Sequence, residues 1–353
     1  MTRILYSVCG IGNGHAARSS ALIQSLSKNH TVYVASYAQG YQFLKKEVPN
    51  AMELKWFELK FTKETYHVGK TILYNIPQIP LVAGENVPKL ISMLRAFKPQ
   101  AIVSDFDING LYLGELFRVP VILISNMHLM EYYPLSLEFK DKVRYYLTEK
   151  PVLNAYRGAR HYIISSIVKP PVKQKHASFF YPLVRKEFFD VQGIPAHDSE
   201  FVLVYMDPKP LQEMQPLLAL FPNTKFKVYG GSPYMNASNV EYCSFDQTRF
   251  AEDVKNCAGI ISHGGISLLS EAMICKKPLC TFTTKHFFER YYNGMLVKML
   301  GYGEVCDEIN LSNVSHFLEN LPAYQEKLKH SPIEPENDKA VKKIEQLLET
   351  HAQ

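Results

Sequence analysis

Two short stretches carry side chains able to do chemistry. The first is Gly10-Ile11-Gly12-Asn13-Gly14-His15-Ala16-Ala17-Arg18, directly after the apolar run Ile4–Cys9. Glycines at such a turn let backbone approach a ligand closely, and the start of the following helix favours negative charge. A tight strand-to-helix turn would use the same glycines, but an imidazole among three of them suits proton transfer. The second is Ser262-His263-Gly264-Gly265-Ile266-Ser267-Leu268-Leu269-Ser270-Glu271-Ala272, then Lys277-Pro278, then Glu289-Arg290-Tyr291-Tyr292-Asn293-Gly294. Backbone N–H groups of the His263-Gly264-Gly265 turn can hold a diphosphate. Glu271 can accept hydrogen bonds from a ribose diol, and Glu289 from sugar hydroxyls. Turn chemistry explains single glycines but not this ordered set.

Both stretches sit in an alternation of strands and helices. Ile4–Cys9, Thr31–Ser36, Ala101–Ser104, Val119–Ser125 and Tyr162–Ser165 read as strands, and 15–28 and the region of Leu90–Phe97 as helices. Continuous apolar strands between helices indicate a parallel sheet covered on both faces. Lys169–Pro182 carries Pro170, Pro171 and Pro182 and reads as a linker. The pattern then restarts, with strands at Phe201–Tyr205, Lys225–Tyr229, Gly259–Ser262 and Pro278–Phe282 and helices near 208–220, 247–256, 265–274 and 288–300. The fold class expected is α/β: two doubly wound Rossmann-like domains facing across a cleft, with ligands beyond the carboxyl ends of the strands. Residues 1–180 form the first domain and 181–335 the second. The final helix, 336–353, has an apolar stripe at Val341, Ile344, Leu347 and Leu348 and is expected to pack back on the first.

Composition narrows the partners. The chain has 353 residues, 46% hydrophobic and 21% charged, which suits two soluble domains and excludes disorder and coiled coil. No run reaches the ~18 apolar residues of a membrane span. The net charge of +5 suits an anionic small ligand or an anionic membrane face and is too weak for nucleic acid. The cysteines at 9, 243, 257, 275, 280 and 306 form no Cys-x-x-Cys pair, so zinc is not expected and a cytoplasmic protein with reduced thiols is. The glycine spacing Gly-x-Gly-x-Gly departs from the dinucleotide fingerprint, and no acidic residue closes the second strand near position 36, which disfavours NAD.

On these motifs the sequence resembles GT-B glycosyltransferases of the MurG and UDP-glycosyltransferase type. The ordered His-Gly-Gly, Glu-Ala, Lys-Pro and Glu-x-x-x-Asn carry the likeness, and the loop ending in His15 and Arg18 matches the same group. It is especially similar to bacterial and archaeal relatives assigned to teichoic acid biosynthesis. The resemblance implies a nucleotide-sugar donor, by family default a UDP-sugar, with no further cofactor and no metal. It places His263, Gly264 and Gly265 at the diphosphate, Glu271 at the ribose, Glu289 at the sugar and Asn293 on the phosphate side. Gly12, Gly14 and Arg18 join the donor contacts. Arg290 stands where the family has Gln, which leaves the sugar open and admits a uronic acid. The implied reaction is inverting transfer to a hydroxyl of a cell-surface polysaccharide or glycolipid, at the inner face of the membrane.

Asp105-Phe106-Asp107 has the spelling of a metal triad but closes a strand of the acceptor half. Asp105 is a candidate to orient His15, which would then take the acceptor proton; a cap of the next helix is the alternative. A nucleotide-sugar hydrolase, similar to the UDP-sugar hydrolase of pseudaminic-acid synthesis, shares the pattern Gly12-Asn13-Gly14-His15-Ala16-Ala17-Arg18 and would use the histidine on water. A sugar-nucleotide-binding protein without catalysis is a third reading. Residues 127–160 mix tyrosines with Lys140, Lys142, Arg144, Lys150, Arg157 and Arg160. They read either as a face for an anionic bilayer or lipid-diphosphate acceptor, or as an ordinary amphipathic helix. The run Ile76–Val82 is a candidate acceptor or membrane-touching loop.

Overall fold

The computed structural model describes residues 1–56, 61–62, 65–66, 77, 79–171, 173–191, 200–231, 237–283 and 287–351. The chain divides into two compact units, Met1–Lys186 with Glu336–Gln353, and Glu187–Pro335.

The first unit holds β1 (Arg3–Val8), α1 (Gly14–Leu26), β2 (Thr31–Ser36), α2 (Ala38–Glu47) and β3 (Ala51–Glu53). A short antiparallel pair, β4 (Phe61–Thr62) and β5 (Thr65–Tyr66), precedes α3 (Ile79–Phe97). Then come β6 (Ala101–Asp105), α4 (Ile108–Phe117), β7 (Val121–Ser125), α5 (Leu129–Tyr132), α6 (Phe139–Ala155), β8 (His161–Ser165) and β9 (Ala177–Phe180). Seven strands make one parallel sheet in the order β3-β2-β1-β6-β7-β8-β9. Alternate residues of β1 and β6 enter two cores. Ile4, Tyr6, Val8 and Val103 pack with α1. Leu5 and Ile102 pack with α3 and α4. Burial on both faces is why these strands read as unbroken apolar runs.

The stretch expected to be a linker contains β9, which pairs with β8 along Tyr162↔Ala177 to Ser165↔Phe180. Its prolines flank an edge strand, the one place in a sheet where missing N–H donors are tolerated. Of the run Ile76–Val82, positions 76 and 78 lie outside the described residues, and 79–82 begin α3.

The second unit repeats the plan with β10 (Phe201–Tyr205), α7 (Pro208–Leu218), β11 (Lys225–Tyr229), β12 (Val240–Cys243), α8 (Gln247–Asn256), β13 (Gly259–Ser262), α9 (Ile266–Ile274), β14 (Leu279–Phe282), α10 (Phe288–Leu300), β15 (Gly303–Cys306) and α11 (Leu311–Lys329). Its sheet is parallel in the order β12-β11-β10-β13-β14-β15. The last helix, α12 (Asn337–His351), belongs to the first unit, where Ala340, Val341, Ile344 and Leu348 enter the core beside α1. Among the described residues no helix is long and apolar enough to cross a membrane.

Candidate functional site

Each unit brings chemistry-bearing residues together where its strand order reverses, the usual place for a ligand on such sheets. In the first unit that point lies between β1 and β6, with Val8 opposite Asp105. His15 sits in the first turn of α1, so its ring reaches the end of β6: Nδ1 lies 2.8 Å from Asp105 Oδ1. Asp105 is wholly buried. It accepts from Arg18 Nε at 2.8 Å and Ser19 Oγ at 2.6 Å, and the terminal Arg18 nitrogen bonds its other oxygen. Burial alone would raise the Asp105 pKa, but the Arg18 guanidinium beside it, with His15, holds the carboxyl well below the usual range.

An ionised carboxylate only accepts hydrogen bonds, so the 2.8 Å contact assigns the His15 Nδ1 proton to Asp105, in competition with an Arg18 terminal nitrogen that lies 3.0 Å from the same atom and can only donate. The lone pair is then left on Nε2, and the His15 side chain is 21% exposed. Asp105 is therefore not the cap of the next helix; the residue at that position, directly before α4, is Asp107. Asp107 is buried, bonded by Ser7 Oγ and, at 3.0 Å, by Asn109 Nδ2, and burial raises its pKa despite those bonds. The two aspartates are thus shifted in opposite directions, Asp105 down by its guanidinium and Asp107 up by burial.

Arg18 is buried, and its guanidinium is engaged with Asp105 rather than open to a ligand. Gly12 has φ +71° on the exposed turn, and its N–H donates to Gln39 Oε1 at 2.9 Å. Gly14 opens α1, whose first turn has no side-chain cap, so its leading N–H groups lack acceptors within the helix. Phe106, unremarked in the sequence, has φ +48°. That conformation costs about 1–2 kcal/mol outside glycine. It is held by a ring stack on Tyr156 at 4.2 Å and by the Tyr156 hydroxyl donating to its carbonyl at 3.1 Å. The His15 ring lies nearly parallel to that of Phe106, with centroids 6.1 Å apart.

In the second unit the reversal lies between β10 and β13, with Tyr205 opposite Ser262. His263 follows β13, and Gly264 turns the chain at φ +81°. A Cβ on Gly264 would also stand 2.9 Å from the Arg290 carbonyl, so this position admits only glycine. Asn293 Nδ2 donates to the Gly264 carbonyl at 3.2 Å and ties the turn to α10. Gly265 precedes α9 without a side-chain cap, again leaving N–H groups for an anion. Glu271 is buried on the second turn of α9, and Glu289 lies in the first turn of α10. Lys277 of the Lys-Pro pair is buried at the amino end of β14, the edge opposite this turn.

Asp207 was not legible as a site residue. It follows β10, and its carboxylate binds Arg290 and lies 3.9 Å from His263 Nδ1. Burial opposes its ionisation, but His263 and Arg290 lower its pKa on balance. His263 is pushed down to about 4, by burial first and Arg290 second, against the pull of Asp207. At neutral pH it is an uncharged hydrogen-bonding group. The signal available was Asp207-Pro208 at a strand-to-helix junction.

Two parallel Rossmann-like units with sites at both strand reversals define a GT-B type architecture. The sequence matches glycosyl transferase family 1 over residues 2–322, and the chain belongs to that family. It is therefore an enzyme that transfers sugars. A Methanosarcina acetivorans protein described as an uncharacterized glycosyltransferase is 25% identical across 97% of both chains. The same fold recurs in Phytolacca americana UGT2 complexed with UDP-2fluoro-glucose and pterostilbene, at TM-score 0.68 and 11% identity over 99% of this chain and 100% of that one. It recurs also in the spinosyn rhamnosyltransferase SpnG complexed with thymidine diphosphate, at TM-score 0.65 and 14% identity over 98% and 100%.

Proposed function

We propose that the enzyme moves a sugar, with inversion and without a metal, from a nucleoside-diphosphate donor to a hydroxyl of a cell-envelope polysaccharide or glycolipid precursor. The observation that carries this reading is the His15–Asp105 pair, with Arg18 keeping the carboxylate ionised. His15 Nε2 takes the hydroxyl proton as the acceptor oxygen bonds the anomeric carbon. The bond from that carbon to the diphosphate breaks, and the departing charge falls to the uncapped start of α9 and the His263-Gly264-Gly265 turn. Glu271 holds the ribose and Glu289 the sugar. Arg18 acts through Asp105 as a positioning residue. UDP is the donor nucleotide tested first; the solved neighbours above carry both uridine and thymidine diphosphates.

UDP is expected to raise the melting temperature by mass action. Glu271→Ala should weaken UDP binding about 10–100-fold, the loss of a hydrogen bond to a charged group. Unchanged affinity in that variant removes the donor assignment. Stoichiometric release of free sugar from UDP-sugars without any acceptor replaces transfer by hydrolysis, with His15 acting on water.

The pairing of Arg290 with Asp207 bears on the sugar. A uronic acid carboxylate would have to compete with Asp207 for that guanidinium, so a neutral donor sugar fits better. Wild-type enzyme should favour UDP-glucose over UDP-glucuronate, and Asp207→Asn should shift that ratio about tenfold toward the acid. A ratio that stays fixed in the variant takes Arg290 out of sugar recognition.

A further inference from the structure

α6 carries an apolar stripe on its outer side. Phe139, Val143, Tyr146 and Leu147 are exposed, Phe139 at 82% and Leu147 at 74%. A helix turns about 100° per residue, so these four fall within an arc of about 100°. Lys140 and Lys142 border that arc on opposite edges, and both are exposed. The two acids of the helix, Asp141 and Glu149, are buried. The outward side of α6 is thus apolar at its centre and cationic at its margins.

α4 extends this face. β6, β7 and β8 are consecutive neighbours in the sheet. Right-handed crossovers between them place α4 and α6 side by side on the same side of it. Tyr112 and Leu116 of α4 are exposed, Leu116 at 72%. More than half of the large exposed hydrophobic residues among those described lie on α3, α4 and α6. Apolar groups gathered in this way mark an interaction surface.

We propose that this face docks on an anionic phospholipid surface, with α6 lying in the headgroup plane. Its aromatic and leucine side chains enter the acyl boundary, and its lysines meet lipid phosphates. A second copy of the chain fits less well. A two-fold contact sets one patch against itself, bringing Lys140 and Lys142 toward the same cations of the partner. Two exposed acids border this face: Glu138 pairs with Lys140 at 3.0 Å, where such surface pairs contribute little, and Glu115 precedes Leu116 on α4. From the proposed function this surface takes only its purpose, a lipid-linked acceptor. Vesicle binding is measured without nucleotide, so its failure leaves the transferase reading standing.

The experiment is cosedimentation of the full chain with vesicles of phosphatidylcholine and phosphatidylglycerol (~3:1), at ~20 mM and ~500 mM salt. Binding is expected at low salt, weakened at high salt and much reduced on phosphatidylcholine alone. The double variant Phe139→Asp/Leu147→Asp should lose at least about tenfold in vesicle affinity with its melting temperature unchanged, since both side chains are exposed. Lys140→Glu/Lys142→Glu should abolish the preference for the anionic lipid. No sedimentation at low salt, or unaltered binding in the Phe139/Leu147 variant, overturns the proposal. So does a dimer in light scattering that the same variant dissociates, which assigns the face to a second copy.

Discussion

His15→Ala is expected to lower turnover by about 10²–10⁴-fold, the usual contribution of a general base, while UDP affinity stays at the wild-type value. The split follows from placement. His15 belongs to the first unit, and its ring touches Asp105, Arg18 and Phe106, all of that same unit. The residues assigned to the nucleotide, His263 to Gly265 and Glu271, belong to the other. Turnover is read as nucleoside diphosphate released at saturating acceptor. A His15→Ala enzyme with wild-type turnover assigns the proton transfer elsewhere. Equal losses in turnover and UDP affinity would instead make His15 a binding residue.

Asp105→Asn is expected to cost about 3–5 kcal/mol of stability, because it leaves the buried Arg18 guanidinium without its counter-charge. The volume is kept, so the loss is electrostatic. Linkage gives an independent check. The folded pKa of Asp105 lies below its unfolded value, near 3.9. Its contribution is therefore complete above about pH 5 and is lost as pH falls through the unfolded value toward the folded one. In the variant that acid-side loss disappears. Asp107 runs the other way, since its raised pKa favours the folded state at low pH. Subtracting variant from wild-type stability across pH ~2–6, measured by denaturant unfolding, isolates Asp105, because that range spans the unfolded carboxyl value through which its contribution begins to be lost. A difference that does not change over that range removes the charge argument.

The strands were legible because burial on both faces leaves no polar alternation to confuse the reading: Ile4 to Val8 and Ala101 to Asp105 carry it plainly. β9 was hidden by its prolines, since an edge strand needs few donors and little length. The His15–Asp105 pair was legible as one residue opening the helix after the first strand and another closing a strand of the same half. The role of Arg18 was not. Its partner lies 87 positions away, and nothing local distinguishes an arginine that binds an anion from one that neutralises a buried aspartate. Arg290 and Asp207, 83 positions apart, hid for the same reason. The outward face of α6 was read as tyrosine and base over 127–160. The structure narrows it to Phe139, Val143, Tyr146 and Leu147, because only burial tells which side of a helix faces the sheet.

The placement of α12 bears on the order in which the protein is made. Glu187–Pro335 is an insertion within the other unit, and Ala340, Val341, Ile344 and Leu348 complete the core begun by β1 and α1. During synthesis the inserted unit has its whole sequence in hand while the first still lacks one wall of its core. The nascent first sheet must wait with that wall open, a state prone to aggregation. Maturation of the His15 end thus depends on residues that follow the whole inserted unit in the chain, and a chain cut after Pro335 would keep every site residue and lose the helix that closes the core beneath His15.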